Sequence, residues 1–242
     1  MDIYRIKGMT LNKIGLIGGM SWESTALYYQ IVNREIARRL GGLNSAPMHV
    51  ISLNFADIAA RQRADDWHGM GTILIDAARQ LENAGAACVL IGTNTMHKLA
   101  PDVQAAINVP LLHIVDVTAA AILAQGITRV GLLGTRFTME QAFYVDRLRT
   151  HGVECVVPNE TDRAEVHRII FEELCQGEIN DASRRRLQKI CIDLTVRDAK
   201  GLVLGCTELP MILGSGDTGL PLFDTTMLHA LAAVDFALST PH

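Results

Sequence analysis

The strand-to-helix turn from Gly15 to Ser21 lacks the G-x-G-x-x-G spacing, and no G-x-x-x-x-G-K-[ST] occurs in the 242 residues, so that turn is no dinucleotide fingerprint and the chain carries no P-loop. Its five cysteines, Cys88, Cys155, Cys175, Cys191 and Cys206, are odd in number and form no C-x-x-C pair. That argues against a zinc ribbon and a disulfide framework, and fits reduced thiols in the cytoplasm. No apolar run reaches about 18 residues, and the first twelve residues lack an apolar stretch and a small-residue cleavage site. Neither a membrane span nor export is expected, and Met9 is a candidate alternative start because patterned sequence begins at Lys13. Basic excess is also missing. The formal net charge is -4, and the one basic run, Arg184-Arg185-Arg186, reads as a solvated helix face between Asp181 and Lys189. Nucleic acid and anionic membranes are thereby disfavoured as partners.

What is present is an ordinary globular composition, 49% hydrophobic and 20% charged, which predicts a packed interior. Short apolar runs alternate with longer amphipathic stretches, the pattern of parallel strands joined by helical crossovers, so the expected fold class is α/β. Strands are expected at residues 13–18, 48–54, 88–91, 129–134, 154–158 and 202–205. Helices are expected at about 22–40, 63–83, 115–124, 139–149, 162–175, 182–199 and 225–238.

An internal echo says more than any single element. Ile14-Gly15-Leu16-Ile17-Gly18 returns 116 residues later as Val130-Gly131-Leu132-Leu133-Gly134. Val89-Leu90-Ile91-Gly92-Thr93-Asn94-Thr95 is answered by Leu202-Val203-Leu204-Gly205-Cys206-Thr207-Glu208, with Thr93 and Cys206 113 residues apart. Two echoes nearly in step predict two similar Rossmann-like lobes, residues 13–113 and 114–223, with a C-terminal helix over 224–239 completing the first. Open parallel sheets bind ligands beyond the carboxyl ends of their strands. Thr93 and Cys206 should therefore reach a shared cleft from opposite sides.

Within Gly15 to Ser21 the glycines permit a tight strand-to-helix turn, Ser21 caps the helix, and the free N–H groups there can hold a carboxylate. Cys206, at the end of an apolar strand, is a candidate reactive thiol. Cys88, Cys175 and Cys191 read as structural, one inside a strand and two on helices. His97 and His113 are possible proton carriers by chemistry, but neither has a companion at metal-ligand spacing. Lys98 could form a Schiff base, yet no phosphate cup surrounds it. No metal or cofactor is expected.

Four segments, GGMSWES (Gly18 to Ser24), TNTMHK (Thr93 to Lys98), LLGTRFTM (Leu132 to Met139) and GCTE (Gly205 to Glu208), together resemble the aspartate/glutamate racemase family, and within it the broad-specificity amino-acid racemase branch. The likeness runs from about Lys13 to Leu238. It implies paired lobes, an active site between them, a homodimer, and an isomerase that works without pyridoxal phosphate on a small-molecule amino acid. Two opposed acid/base residues would act on the α-carbon, one removing the proton and the other returning one to the opposite face. Cys206 matches the second cysteine of most relatives. Thr93 stands where the first belongs, a departure shared by some of the broad-specificity branch.

That departure matters because a thiol titrates near pH 8.5 and neighbours can lower it, whereas a threonine hydroxyl is far weaker. The two directions of racemisation should then be unequal. By motif, the expected substrate holders are Met20, Ser21, Asn94, Thr95, Thr135, Thr138 and Thr207. Glu165 falls where acidic-substrate members carry a lysine, and Gln62 where an arginine often holds a carboxylate, so neutral or basic amino acids are expected. An aspartate/glutamate-specific racemase, hydantoin racemase, maleate isomerase or malonate decarboxylase chemistry on the same scaffold, and a non-catalytic amino-acid sensor remain the alternatives.

Overall fold

The fold is taken from a computed structural model that describes residues 11–240; Met9 lies outside the described residues. In the first lobe, β1 (Ile14–Gly18), β2 (Met48–Ser52) and β3 (Cys88–Ile91) form a parallel sheet in the order β2-β1-β3. In the second, β4 (Arg129–Gly134), β5 (Glu154–Val156), β6 (Leu202–Gly205) and β7 (Leu222–Asp224) form a parallel sheet in the order β5-β4-β6-β7. The echoed segments thus take equivalent places. β1 and β4 sit inside their sheets, with β3 and β6 as their corresponding neighbours.

The helices are α1 (Trp22–Leu40), α2 (Phe55–Arg63), α3 (Trp67–Asn83), α4 (Ala100–Ala105), α5 (Ile114–Ala124), α6 (Arg136–Glu140), α7 (Ala142–Thr150), α8 (Glu160–Glu172), α9 (Asp181–Val196) and α10 (Thr225–Leu238). The two-residue period of a strand divides the first core. Ile17, Val89 and Ile91 pack with Leu74, Ala77, Ala78 and Leu81 of α3 on one face. Ile14, Leu16, Cys88 and Leu90 pack on the other with Tyr28 and Val32 of α1 and with Ala230, Ala233, Val234 and Ala237 of α10. The chain's last helix therefore covers the sheet made by its first hundred residues. A second core gathers Val130, Leu132, Leu133, Ile190, Leu194, Val203 and Leu204, and Ile114 and Val115 at the start of α5 belong to it.

Three expectations need correction. The helix expected over residues 63–83 starts only at Trp67, and an unexpected α2 ends at Arg63: between them Asp65 takes a left-handed φ of 55°, and Asp66 caps α3 by accepting from Gly69 N–H at 2.8 Å. The helix expected over 139–149 begins earlier and breaks at Gln141, whose extended backbone separates α6 from α7. Strand β7 was not anticipated, because three residues behind Pro221 carry too little periodicity to register.

Candidate active site

All four echoed strands deliver their carboxyl ends to one place. After β1, Gly19 adopts φ +82°, and a Cβ there would lie 2.1 Å from the carbonyl oxygen of Leu53, so only glycine makes this turn. The turn places Ser21 as N-cap of α1, its Oγ accepting from Ser24 N–H at 3.3 Å. After β4, Thr135 caps α6 and accepts from Thr138 N–H at 3.4 Å. Thr93 follows β3, and Cys206 follows β6.

Between these ends lies a cleft lined by Met20, Ser21, Gln62, Thr93, Asn94, Thr95, Thr135, Cys206 and Thr207, all expected from sequence. Phe55, Ile170, Phe171, Cys175, Gly205 and Glu208 complete the lining. Its free volume is about 40 Å³. That is room for about three waters.

Glu208 is the dominant electrostatic feature, a buried carboxylate on which three donors converge. Cys206 S–H donates to its Oε2 at 2.9 Å, Thr207 O–H donates to the same oxygen at 2.7 Å, and Ser21 O–H donates to Oε1 at 3.2 Å. Burial, reinforced by the charge of Glu208 and the bond to it, holds the Cys206 thiol well above its ordinary pKa. The expectation of a thiol lowered by its neighbours is thus reversed. A carboxylate at 2.9 Å opposes a second negative charge but stands ready to accept the thiol's proton.

Opposite, the Thr93 side chain is half-buried, while Asn94 donates through Nδ2 to Thr225 Oγ1 at 2.9 Å and Thr225 donates to Leu204 C=O at 2.8 Å. This relay links the loop after β3 to the strand that carries Cys206. The Asn94 Oδ1 is buried without a hydrogen-bond partner. A buried free acceptor in a ligand cleft calls for a donor.

Two expected holders lie outside the lining. Thr138 sits one layer beneath, fully buried and within 3.2 Å of Thr135 Oγ1, so it supports the wall without forming it. Glu165 faces away along α8 and pairs with Arg168 at 2.8 Å. An i,i+3 partner on its own helix outcompetes the cleft for it. Conversely Cys175, read from sequence as structural, lines the cleft, with its thiol pushed up to about 12 by burial and then by Glu208 and Glu23. His97 and His113 lie behind the cleft, not in it, and Lys98 rests on the Trp67 ring, 3.6 Å from its centroid. The role of Glu208 was hidden in plain sight in GCTE, since a carboxylate two residues beyond a strand-end thiol can fold back onto it.

A family model for Asp/Glu/Hydantoin racemase matches residues 17–233. The chain belongs to this family. A Bacillus subtilis broad-specificity amino-acid racemase, RacX, is 25% identical over 93% of this chain and 98% of its own length. Among solved structures, a Yersinia pestis protein assigned provisionally to the Asp/Glu racemases is 46% identical, with a TM-score of 0.90 over 95% of this chain and all of that one. PH1733, an aspartate racemase homologue from Pyrococcus horikoshii, is 37% identical, with a TM-score of 0.82 over the same shares. As a member of this racemase family the chain is an enzyme of the isomerase class, and its α/β fold with two parallel sheets is that of these neighbours. No helix among the described residues is long and apolar enough to cross a membrane.

Proposed function

We propose that this protein is a cofactor-independent amino-acid racemase that inverts the α-carbon between Cys206 and Thr93, with broad specificity for neutral side chains. The observation that carries this reading is the Cys206–Glu208 contact of 2.9 Å at a strand end facing Thr93. Glu208 takes the S–H proton, the sulfur takes the substrate α-proton, and the resulting carbanion is reprotonated on its other face from Thr93 or a water that Thr93 holds. Protons balance once the Glu208 carboxyl releases the proton it took to solvent and Thr93, or its water, regains one from solvent, which resets both groups for the next turnover. Asn94 Oδ1 supplies the acceptor for the substrate ammonium. The hydroxyls of Ser21, Thr95, Thr135 and Thr207, with the N–H groups at the starts of α1 and α6, suit its carboxylate and the enolate-like charge that develops on it.

Neutral side chains are favoured because no lysine or arginine lines the cleft, and Phe55, Ile170 and Phe171 give it an apolar wall. The case for basic substrates rested on Glu165, which is turned elsewhere. A sensor would have no use for a thiol bonded to a buried carboxylate. Location in the cytoplasm and a homodimer belong to the same proposal, with exposed Trp22, Tyr29 and Val50 offering apolar surface for a second copy. The deciding experiment incubates the purified protein with each chiral amino acid in D2O and follows α-proton loss by NMR together with enantiomer ratio. Neutral amino acids should exchange and racemise. Binding without exchange for every amino acid would leave the sensor.

A further inference from the structure

Thr93 is held from behind by an imidazole that never reaches the cleft. His97, in the 3-10 helix Thr95–Leu99, is 1% exposed. Its Nδ1 donates to the Thr93 carbonyl at 2.8 Å, and its Nε2 accepts from Ile114 N–H at 3.2 Å. Both partners are backbone groups of fixed polarity, so only the neutral tautomer protonated at Nδ1 satisfies them. Burial, with His113 and His229 as further causes, pushes its pKa down and keeps that form. The Thr93 N–H meanwhile donates to Ile91 C=O at 2.8 Å. The residue is therefore pinned at both backbone ends, and only its side chain is left to face the cleft.

The second partner gives this bond its reach. Ile114 opens α5 and belongs to the core of the second lobe, whereas Thr93 ends a strand of the first. One ring thus spans the seam directly behind the cleft. No counterpart exists on the thiol side. The residue 113 positions after His97 is Pro210, and the Cys206 carbonyl accepts instead from Leu209 N–H at 3.3 Å.

We propose that His97 is a positioning residue for Thr93, setting the distance and aim of its hydroxyl across the lobe seam while taking no part in proton transfer itself. The proposal rests on the racemase reading above. It requires that loss of His97 harm the step that Thr93 performs and spare the step that Cys206 performs. Exchange on the Cys206 face, in which the sulfur removes a proton and returns a deuteron to the same face, should persist when inversion fails.

The test uses the amino acid turned over fastest by the wild type in D2O. His97→Leu should lower inversion roughly ten- to a hundredfold, the effect of a displacement of about 1 Å, with KM and Cys206-face exchange changed less than about threefold. His97→Asn keeps a donor where Nδ1 stood and should recover most of the inversion. His97→Gln, whose amide extends toward Ile114, should not. A second readout needs no turnover: the thiol introduced by Thr93→Cys is alkylated by iodoacetamide, with peptide mapping to identify it, and adding His97→Leu should change its rate roughly tenfold, with His97→Asn restoring it. Proportional loss of exchange and inversion, or an alkylation rate indifferent to His97, overturns the proposal. A wild type that exchanges no amino acid, with alkylation of the Thr93→Cys thiol still responding to His97, overturns the racemase reading and leaves the positioning role standing.

Discussion

The hydroxyl oxygens of Thr95 and Thr135 lie 3.2 Å apart, joining the loop after β3 in one lobe to the cap of α6 in the other. The same arrangement recurs with the lobes exchanged: Ser21, the cap of α1, meets Glu208 in the loop after β6, again at 3.2 Å. Thr95 and Glu208 are 113 residues apart, as are Thr93 and Cys206. The duplicated halves thus present one constellation twice, and the chemistry differs because a hydroxyl stands in one copy where a carboxylate stands in the other. A thiol paired with an acceptor is a base. A threonine whose loop offers a second hydroxyl where the other loop offers a carboxylate can only donate or relay.

Replacing the carboxylate should separate its electrostatic role from its catalytic one. Glu208→Gln removes the charge that, after burial, holds the Cys206 thiol up, so the pH midpoint for its alkylation should fall while burial keeps it above the ordinary value near 8.5. Turnover should nonetheless drop about 10²- to 10⁴-fold, the usual range for a lost proton acceptor. An unchanged alkylation midpoint would show that the contact does not govern the thiol.

Cys206→Ala should abolish both exchange and racemisation, since among the described residues no other thiol hydrogen-bonds to Glu208. Thermal melting should stay close to wild type because the substitution removes a single sulfur at a strand end on the edge of the core. Residual racemisation at the wild-type rate would remove Cys206 from the mechanism.

Unequal halves imply unequal exchange. The enantiomer whose α-hydrogen faces Cys206 should exchange deuterium faster than its mirror image, and Thr93→Cys should bring the rates together if the new sulfur is accommodated. Equal wild-type rates that Thr93→Cys leaves untouched would make Thr93 a bystander.

Specificity should respond to Gln62 and ignore Glu165. Glu165→Lys exchanges a side chain already committed to Arg168 outside the cleft, so relative efficiencies toward neutral and acidic amino acids should hold within about twofold. Gln62→Arg puts a cation on the lining and should favour aspartate or glutamate by about 1 to 3 kcal/mol, roughly ten- to a hundredfold in kcat/KM ratio. The reverse pattern would put Glu165 in contact with substrate.

Acid should destabilise the protein through histidines it never uses for chemistry. His113 and His229 are buried and lowered to about 4, His229 donating to Leu112 C=O at 2.7 Å and accepting from Tyr28 O–H at 2.8 Å. Below pH 6.5 the unfolded chain binds protons that the folded one refuses, so stability falls as pH drops from about 6.5 to 4 and levels off beneath. At about 1.4 kcal/mol per pH unit each residue contributes on the order of 3 kcal/mol to that loss. Denaturant titrations across this range should show it, and His229→Gln should flatten the slope; a slope indifferent to that substitution would assign the acid sensitivity elsewhere.

The sequence by itself determined six strands, four of which carry the echoes, the cap at Ser21, and the strand-end placement of Thr93 and Cys206. These follow from apolar periodicity, turn chemistry and an internal repeat, all of which act over neighbouring residues or a fixed offset. It also held the family motifs, which the match over residues 17–233 answers. Only the tertiary structure decided which side chains converge. Glu165 and Glu208 are equally charged in the sequence, yet one spends its charge on Arg168 a helical turn away and the other folds back beneath Cys206. Cys175 reads as an inert helix thiol until α8 brings it to the cleft wall, and His97 reads as a lone imidazole until Ile114 arrives from the other lobe. The direction of the Cys206 shift belongs to the same class. A thiol's acidity depends on the charges and the dryness around it, and both are set by how two lobes close on each other, which no local pattern encodes.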